Sequence, residues 1–214
     1  MPSRPNLPRL YAILDVDLTV ARGLEPLALL DVWLGAGVRL VQLRAKAMAG
    51  GPLLELARAA AARTSAAGAV LIVNDRADVA RLARAGGVHV GQSDLEPRDA
   101  RRIVGEAAWV GVSTHSAAQA QAVSREKIDY LAVGPVFATR TKGGSADEPI
   151  GLAGVRQGVA AAHEAGLPVV AIGGITLDLA PGVIAAGASS VAVISDLLVG
   201  DPAQRCRAYL EVLG

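Results

Sequence analysis

Val38-Arg39-Leu40-Val41-Gln42-Leu43-Arg44-Ala45-Lys46 opens as an apolar, β-branched run and ends in three polar groups spaced two apart. A longer Ala/Leu-rich stretch of helical period follows at Leu53–Ala67, and then a second short run, Val70-Leu71-Ile72-Val73. Strands that read as nearly continuous apolar runs are buried on both faces, and joining two of them through a helix makes them parallel. Outward from this unit the same alternation recurs. Strands are expected at Leu10–Leu14, Val38–Leu43, Val70–Val73, Val88–Val90, Trp109–Val112, Tyr130–Val133, Val169–Ile172 and Val191–Ile194. The intervening helices are expected at Pro26–Leu34, Leu53–Ala67, Ala77–Ala85, Pro97–Val104, Ala117–Ser124, Leu152–Ala165, Leu179–Ala186 and Pro202–Leu213. Pro52, Pro97 and Pro202 stand at helix starts, where a missing N–H costs nothing. Gly35, Gly37, Gly68, Gly166 and Gly187 stand where left-handed caps end helices. Eight strand–helix units predict an α/β fold, a closed (β/α)8 TIM barrel forming one domain over residues 1–214. An open doubly wound sheet uses five or six such units.

Composition fits this reading. Hydrophobic residues make up 52% and aromatics only 3%, with 42 alanines and 24 glycines, so the core must be built from Ala, Val, Leu and Ile. Twenty-one Lys and Arg against 20 Asp and Glu give a net charge of +1, which argues against a nucleic-acid surface. The single Cys206 excludes an internal disulfide and a multi-cysteine metal site. No apolar run reaches the roughly 18 residues of a membrane span. Three prolines before Arg9 stand where a signal peptide would carry its apolar segment, so a cytoplasmic protein is expected. Association into a homo-oligomer stays open.

In such barrels chemistry gathers after the strands, at one mouth. Gln42, Arg44 and Lys46 share one side of the second strand, and Val41 and Leu43 face the helices. Two cations so close are favourable around an anion, which points to a phosphate or diphosphate rather than basics fraying from a strand end. Asp75 and Asp94 follow the third and fourth strands and together suit Mg2+. Asp75 fits helix capping equally well. The stretch Phe137–Pro149 has no period and carries Thr139, Thr141 and Lys142, which suits a lid over an anion. Gly173-Gly174 and Ile194-Ser195 close the last two strands, the usual place for a phosphate monoester. The residues thus describe two anion sites in one mouth, one cationic and one lined by backbone amides.

The chain resembles the thiamine-phosphate synthases over nearly its whole length. The matching parts are Leu10–Asp15, Gln42-x-Arg44-x-Lys46, Asn74-Asp75, Gly91-Gln92-x-Asp94 and Gly111-Val112-Ser113. Gly134-Pro135-x-Phe137-x-Thr139-x-Thr141-Lys142, Ala171–Ile175 and Val193–Ser195 complete the set. The resemblance implies condensation of hydroxymethylpyrimidine diphosphate with hydroxyethylthiazole phosphate, giving thiamine phosphate and diphosphate. It implies that Gln42, Asn74 and Ser113 contact the pyrimidine, and that Arg44, Lys46 and Lys142 hold the diphosphate and act as the catalytic cations. Asp75 and Asp94 would bind Mg2+, and Thr139, Thr141, Gly174, Ile194 and Ser195 would receive the thiazole phosphate. Two positions depart from the family. Asp196 brings a negative charge beside the expected phosphate site, and Leu179 stands where Asn is common.

Three other readings fit parts of the sequence. A thiazole tautomerase of the same barrel type would use His115 in acid–base chemistry, although the complete cationic set favours the synthase. A Schiff-base aldolase would use Lys142, and a non-catalytic paralogue would bind without turnover. His89 reads as a satisfied barrel histidine, His163 as solvated and Cys206 as core packing. Arg98, Arg101 and Arg102 with Asp99 read as an exposed helix face.

Overall fold

The computed structural model describes residues 6–139 and 148–214. Its elements run β1 (Leu10–Asp15), α1 (Val16–Ala21), α2 (Pro26–Gly35), β2 (Leu40–Arg44), α3 (Gly50–Ala66) and β3 (Val70–Asn74). Next come α4 (Ala77–Leu82), β4 (Gly87–Val90), α5 (Pro97–Val104), β5 (Trp109–Thr114), α6 (Ala117–Val123) and β6 (Tyr130–Val133). The chain ends with α7 (Gly151–His163), β7 (Val169–Ile172), α8 (Ala180–Ala185), β8 (Ser190–Val193), a 3-10 turn (Ser195–Leu198) and α9 (Pro202–Leu213). The eight strands pair in sequence order, all parallel, and β8 closes onto β1, giving the expected (β/α)8 barrel. No helix among the described residues is long and apolar enough to cross a membrane.

Strand parity divides the core into two layers. Leu10, Ala12 and Leu14 of β1, Val41 and Leu43 of β2, and Leu71 and Val73 of β3 face the helices. Tyr11, Ile13, Leu40, Ile72, Tyr130 and Val170 fill the barrel. Small residues make this possible. A Cβ on Gly111 would stand 2.0 Å from Cζ of Tyr130, so only glycine on β5 leaves room for that ring.

Four sequence expectations need correction. An extra short helix, α1, starts straight after β1 because Asp15 caps it: its carboxylate accepts from Leu18 N at 3.0 Å. Gly35 does not end α2 as a left-handed cap; it stays helical, and Gly37, with φ of 106°, makes the reversal. Helix ends also shift: α3 starts at Gly50 rather than Leu53, which puts Pro52 inside its first turn, α4 stops at Leu82 rather than Ala85, and α8 starts one residue later than expected. The fourth is Arg101, which is not on an exposed face: it is only 7% exposed. Its guanidinium pairs with Asp129, just before β6, and donates to the carbonyl oxygens of Gly105 and Ala108. The other side of α5 does face solvent, where Arg102 meets Asp99.

Asp129 also accepts from Val110 N at 2.7 Å, so it joins α5, β5 and the entry to β6. Removing one member of a buried ion pair leaves the other charge without compensation. Asp129→Ala is therefore expected to lower the unfolding free energy by about 3 kcal/mol. In urea the midpoint should fall with an unchanged m-value; an unaltered midpoint would contradict a structural role for this pair.

Candidate active site

Those expected site residues that lie within the described parts of the chain gather at the C-terminal ends of the strands and form two halves of one mouth. In the first half, β1 to β4, Arg44 pairs with Asp15, and both side chains are largely buried. Lys46 stands past the end of β2, half-exposed, with Nζ 3.2 Å from Oδ2 of Asp75. Asp75 is not a helix cap. Arg76 occupies the N-cap of α4, and Asp75 adopts φ of 63°, a conformation rare for a residue with a Cβ. Its backbone N–H donates to His89 O at 2.8 Å, anchoring the turn to β4.

That turn faces the Asp75 carboxyl toward Asp94. Burial is the main cause that pushes the Asp75 carboxyl above the ordinary carboxylate range. The adjoining Asp94 carboxyl adds to the rise, and Lys46 pulls the other way. Asp94 itself is fixed by accepting from Gly91 N at 2.8 Å. Two partly buried carboxyls in contact are unfavourable as anions unless a cation lies between them. No third His, Cys, Asp or Glu joins them among the described residues. An oxygen pair of this kind fits Mg2+, which keeps several waters and takes substrate phosphate oxygens as its other ligands. Asn74, at the end of β3, is half-buried beside this pair.

The second half is a cavity of about 440 Å³ at the ends of β5 to β8, walled in part by Ser113, Thr139, Gly173, Gly174, Ile194 and Ser195. Gln42, Arg44, Lys46, Asn74, Asp75 and Asp94 stand outside its walls, on the neighbouring strand ends. Gly173 and Gly174 have φ of 107° and 63°, and a Cβ on Gly174 would lie 2.6 Å from Ala138 O. The pair thus lets the segment after β6 lie directly on β7, where Phe137 N donates to Gly173 O at 2.9 Å. Thr141 and Lys142 lie outside the described residues.

Asp196 also lines the cavity, yet its charge is matched from behind. Its Oδ2 accepts from Arg205 Nη2 at 2.7 Å, Tyr209 Oη at 2.5 Å and Leu177 N at 3.2 Å. Burial first, and then this carboxylate, push the Tyr209 phenol well above its ordinary pKa. The departure at Asp196 therefore ties α9 to the 3-10 turn and to the segment after β7. His115 lines the cavity too, with Nδ1 2.9 Å from Gly134 O.

Two groups escaped sequence reasoning. Arg22 lines the cavity, but it follows α1, a helix the sequence pattern did not announce. A polar chain through Tyr11 and Tyr130 lies beneath the mouth, and its signal was strand parity, which turns both residues inward.

Comparison with known proteins agrees with the geometry. A family model described as thiamine monophosphate synthase matches residues 10–197. The thiamine-phosphate synthase of Koribacter versatilis is 45% identical, covering 100% of this chain and 99% of that protein. That of Moorella thermoacetica is 42% identical, covering 95% of each. Among solved structures, the thiamine phosphate pyrophosphorylase from Pyrococcus furiosus has a TM-score of 0.85 at 29% identity, covering 96% of this chain and 95% of that one. Orotidine 5'-phosphate decarboxylase from Pyrococcus horikoshii, at 12% identity and a TM-score of 0.67, shares the fold alone. With its barrel, its paired carboxyls and a family match spanning most of its length, the chain belongs to the thiamine monophosphate synthase family.

Proposed function

We propose that this chain joins hydroxymethylpyrimidine diphosphate to hydroxyethylthiazole phosphate, releasing diphosphate and forming thiamine phosphate. The observation that carries the reading is one mouth with two unlike halves: Arg44, Lys46 and two touching carboxyls on one side, and a glycine-walled cavity on the other. The chain then works as a transferase. Its substrates are small molecules, and the near-neutral total charge suits no polyanionic partner.

In this reaction the C–O bond between the pyrimidine methylene and diphosphate breaks first. The electron-rich aminopyrimidine stabilises the resulting carbocation. Arg44 is held by Asp15, so its remaining N–H groups are preset for the leaving diphosphate, and Lys46 and Lys142 add charge to the same group. Asp75 and Asp94 would hold Mg2+, which when bound neutralises charge on the diphosphate. Thr139, Thr141, Gly174, Ile194 and Ser195 would fix the thiazole phosphate, aligning the thiazole nitrogen with the carbon. That nitrogen attacks with its lone pair and carries no proton, so the chain needs no general base. Gln42, Asn74 and Ser113 would orient the pyrimidine.

Incubation with both substrates and Mg2+ should give thiamine phosphate and diphosphate in equal amounts; neither product forming would overturn the assignment. Loss of charge on the leaving-group side should act on kcat. Lys142→Ala and Arg44→Ala are each expected to lower it by about 100-fold or more, and a near-unchanged kcat would remove those residues from the leaving-group role. Asp75→Asn and Asp94→Asn should raise the Mg2+ concentration for half-maximal rate by about tenfold or more. Titration of the substrate-bound protein with Mg2+ by calorimetry checks this independently of turnover. Arg22 is a cation on the cavity wall, so Arg22→Ala should raise KM for the thiazole phosphate about fivefold, with kcat retained.

A further inference from the structure

Five polar side chains run through the barrel interior in one unbroken line beneath the mouth. Gln42 Nε2 donates to the Tyr11 hydroxyl at 2.9 Å, and the Tyr11 and Tyr130 hydroxyls are 3.0 Å apart. The Tyr130 hydroxyl lies 3.0 Å from His89 Nδ1, and His89 Nε2 lies 2.8 Å from Ser113 Oγ. The line crosses from β2 through β1, β6 and β4 to β5. Its four inner members are buried, and Ser113 reaches the cavity wall. Burial pushes both phenols well above their ordinary pKa, so each keeps its proton and must place it on an acceptor.

The first member sets the direction. An amide nitrogen can only donate, so the Tyr11 oxygen is the acceptor there and its own proton passes to Tyr130. The Tyr130 proton then goes to His89 Nδ1, which must be bare. A neutral imidazole with a bare Nδ1 carries its proton on Nε2 and donates to Ser113 Oγ. The Ser113 proton is thereby directed outward, into the cavity. At the opposite end the Gln42 Oε1 remains as an acceptor.

We propose that this one-way chain fixes the hydrogen-bond pattern with which the mouth reads its heterocycle, an acceptor at Gln42 and a donor at Ser113. Tyr11, Tyr130 and His89 are then positioning residues for specificity. The inference rests on the aminopyrimidine reading given above. An aminopyrimidine carries an exocyclic N–H donor and ring-nitrogen lone pairs, which match this pattern. An oxopyrimidine exchanges the amino donor for a carbonyl acceptor and is rejected, because Gln42 Oε1 then meets a second acceptor.

The test has a substrate-free arm and a kinetic arm. Nitrogen-15 NMR of histidine-labelled wild-type protein, with signals assigned through His115→Asn and His163→Gln, reads the His89 tautomer directly. The expected result is a neutral ring protonated on Nε2, with that preference lost in Tyr130→Phe. In the kinetic arm, Tyr130→Phe should raise KM for the pyrimidine diphosphate about tenfold and lower discrimination against the oxopyrimidine diphosphate by a similar factor. KM for the thiazole phosphate and kcat should stay within about twofold. A proton on Nδ1 would mean the chain runs the other way and overturns the proposal, as does an imidazolium ring. Both KM values rising together also overturns it, since that marks a general structural loss. If Tyr130→Phe fails to fold, Tyr11→Phe breaks the same chain one link earlier with the same kinetic expectation. The wild-type NMR result stands in either case. Failure of the wild-type protein to make thiamine phosphate would count against the reaction and leave the tautomer result untouched, so the two failures are distinguishable.

Discussion

The Tyr11 and Tyr130 rings meet edge to face across the barrel, with centroids 6.0 Å apart and hydroxyls 3.0 Å apart. An eight-stranded barrel is just wide enough inside for side chains to fill it. A chain with 3% aromatics has few large residues for that task, and it places two of its three tyrosines at this point. The contact sets demands on its surroundings. Gly111 must lack a Cβ because the Tyr130 ring passes there, and Gln42 and His89 must turn inward to pair the buried hydroxyls. The filled interior also shuts the barrel as a channel. Groups at the strand ends therefore stand on a rigid floor, and a ligand can approach them only from the mouth.

Above that floor, charge is arranged by pairing. Asp15 holds Arg44, and Asp75 holds Lys46 while touching Asp94. Among the described residues the first half of the mouth thus contains three carboxyls and two cations. Fully ionised, it sums to one negative charge, which is a poor receptor for a diphosphate. In the proposed reaction a divalent cation between Asp75 and Asp94 would reverse the sign of that sum and offset the Asp94 contribution that adds to the effect of burial on the Asp75 carboxyl. Lys46 makes the same point in reverse. It pairs with Asp75, and in the proposed reaction a bound diphosphate would compete for that ammonium.

Much of this was legible in the sequence, for reasons that also mark where legibility stops. Strand order and facing come from short-range alternation, so Val41 and Leu43 against the helices and Gln42 toward the interior follow from parity alone. The Asp75–Asp94 contact does not. It depends on a positive φ at Asp75 and on β3 pairing with β4, neither of which a spacing of residues encodes. The burial of Arg101 is not legible either, because a charged residue on an amphipathic helix is most economically read as solvated. Its partner, Asp129, lies 28 residues further on and is brought to it only by the packing of α5 beside β5 and β6. The same limit hid Arg22, whose place on the cavity wall is set by the Asp15 cap of α1.

The contrast between the two halves of the mouth has an electrostatic logic in the proposed reaction. Heterolysis leaves positive charge on the pyrimidine methylene while negative charge moves to the diphosphate. A thiazole-phosphate site built from several lysines would oppose that step, since like charges at short range repel by several kcal/mol where water is scarce. The cavity wall carries glycines and hydroxyls instead, with Arg22 and His115 its only basic side chains among the described lining residues. Asp196 could have tipped the balance too far toward negative and repelled the phosphate. Arg205, Tyr209 and the Leu177 amide draw its carboxylate toward α9 and so spend its charge inside the protein. In the proposed reaction the half that would hold an anion beside a developing cation is thereby kept close to neutral, and Arg44 and Lys46 would stand where the leaving group departs.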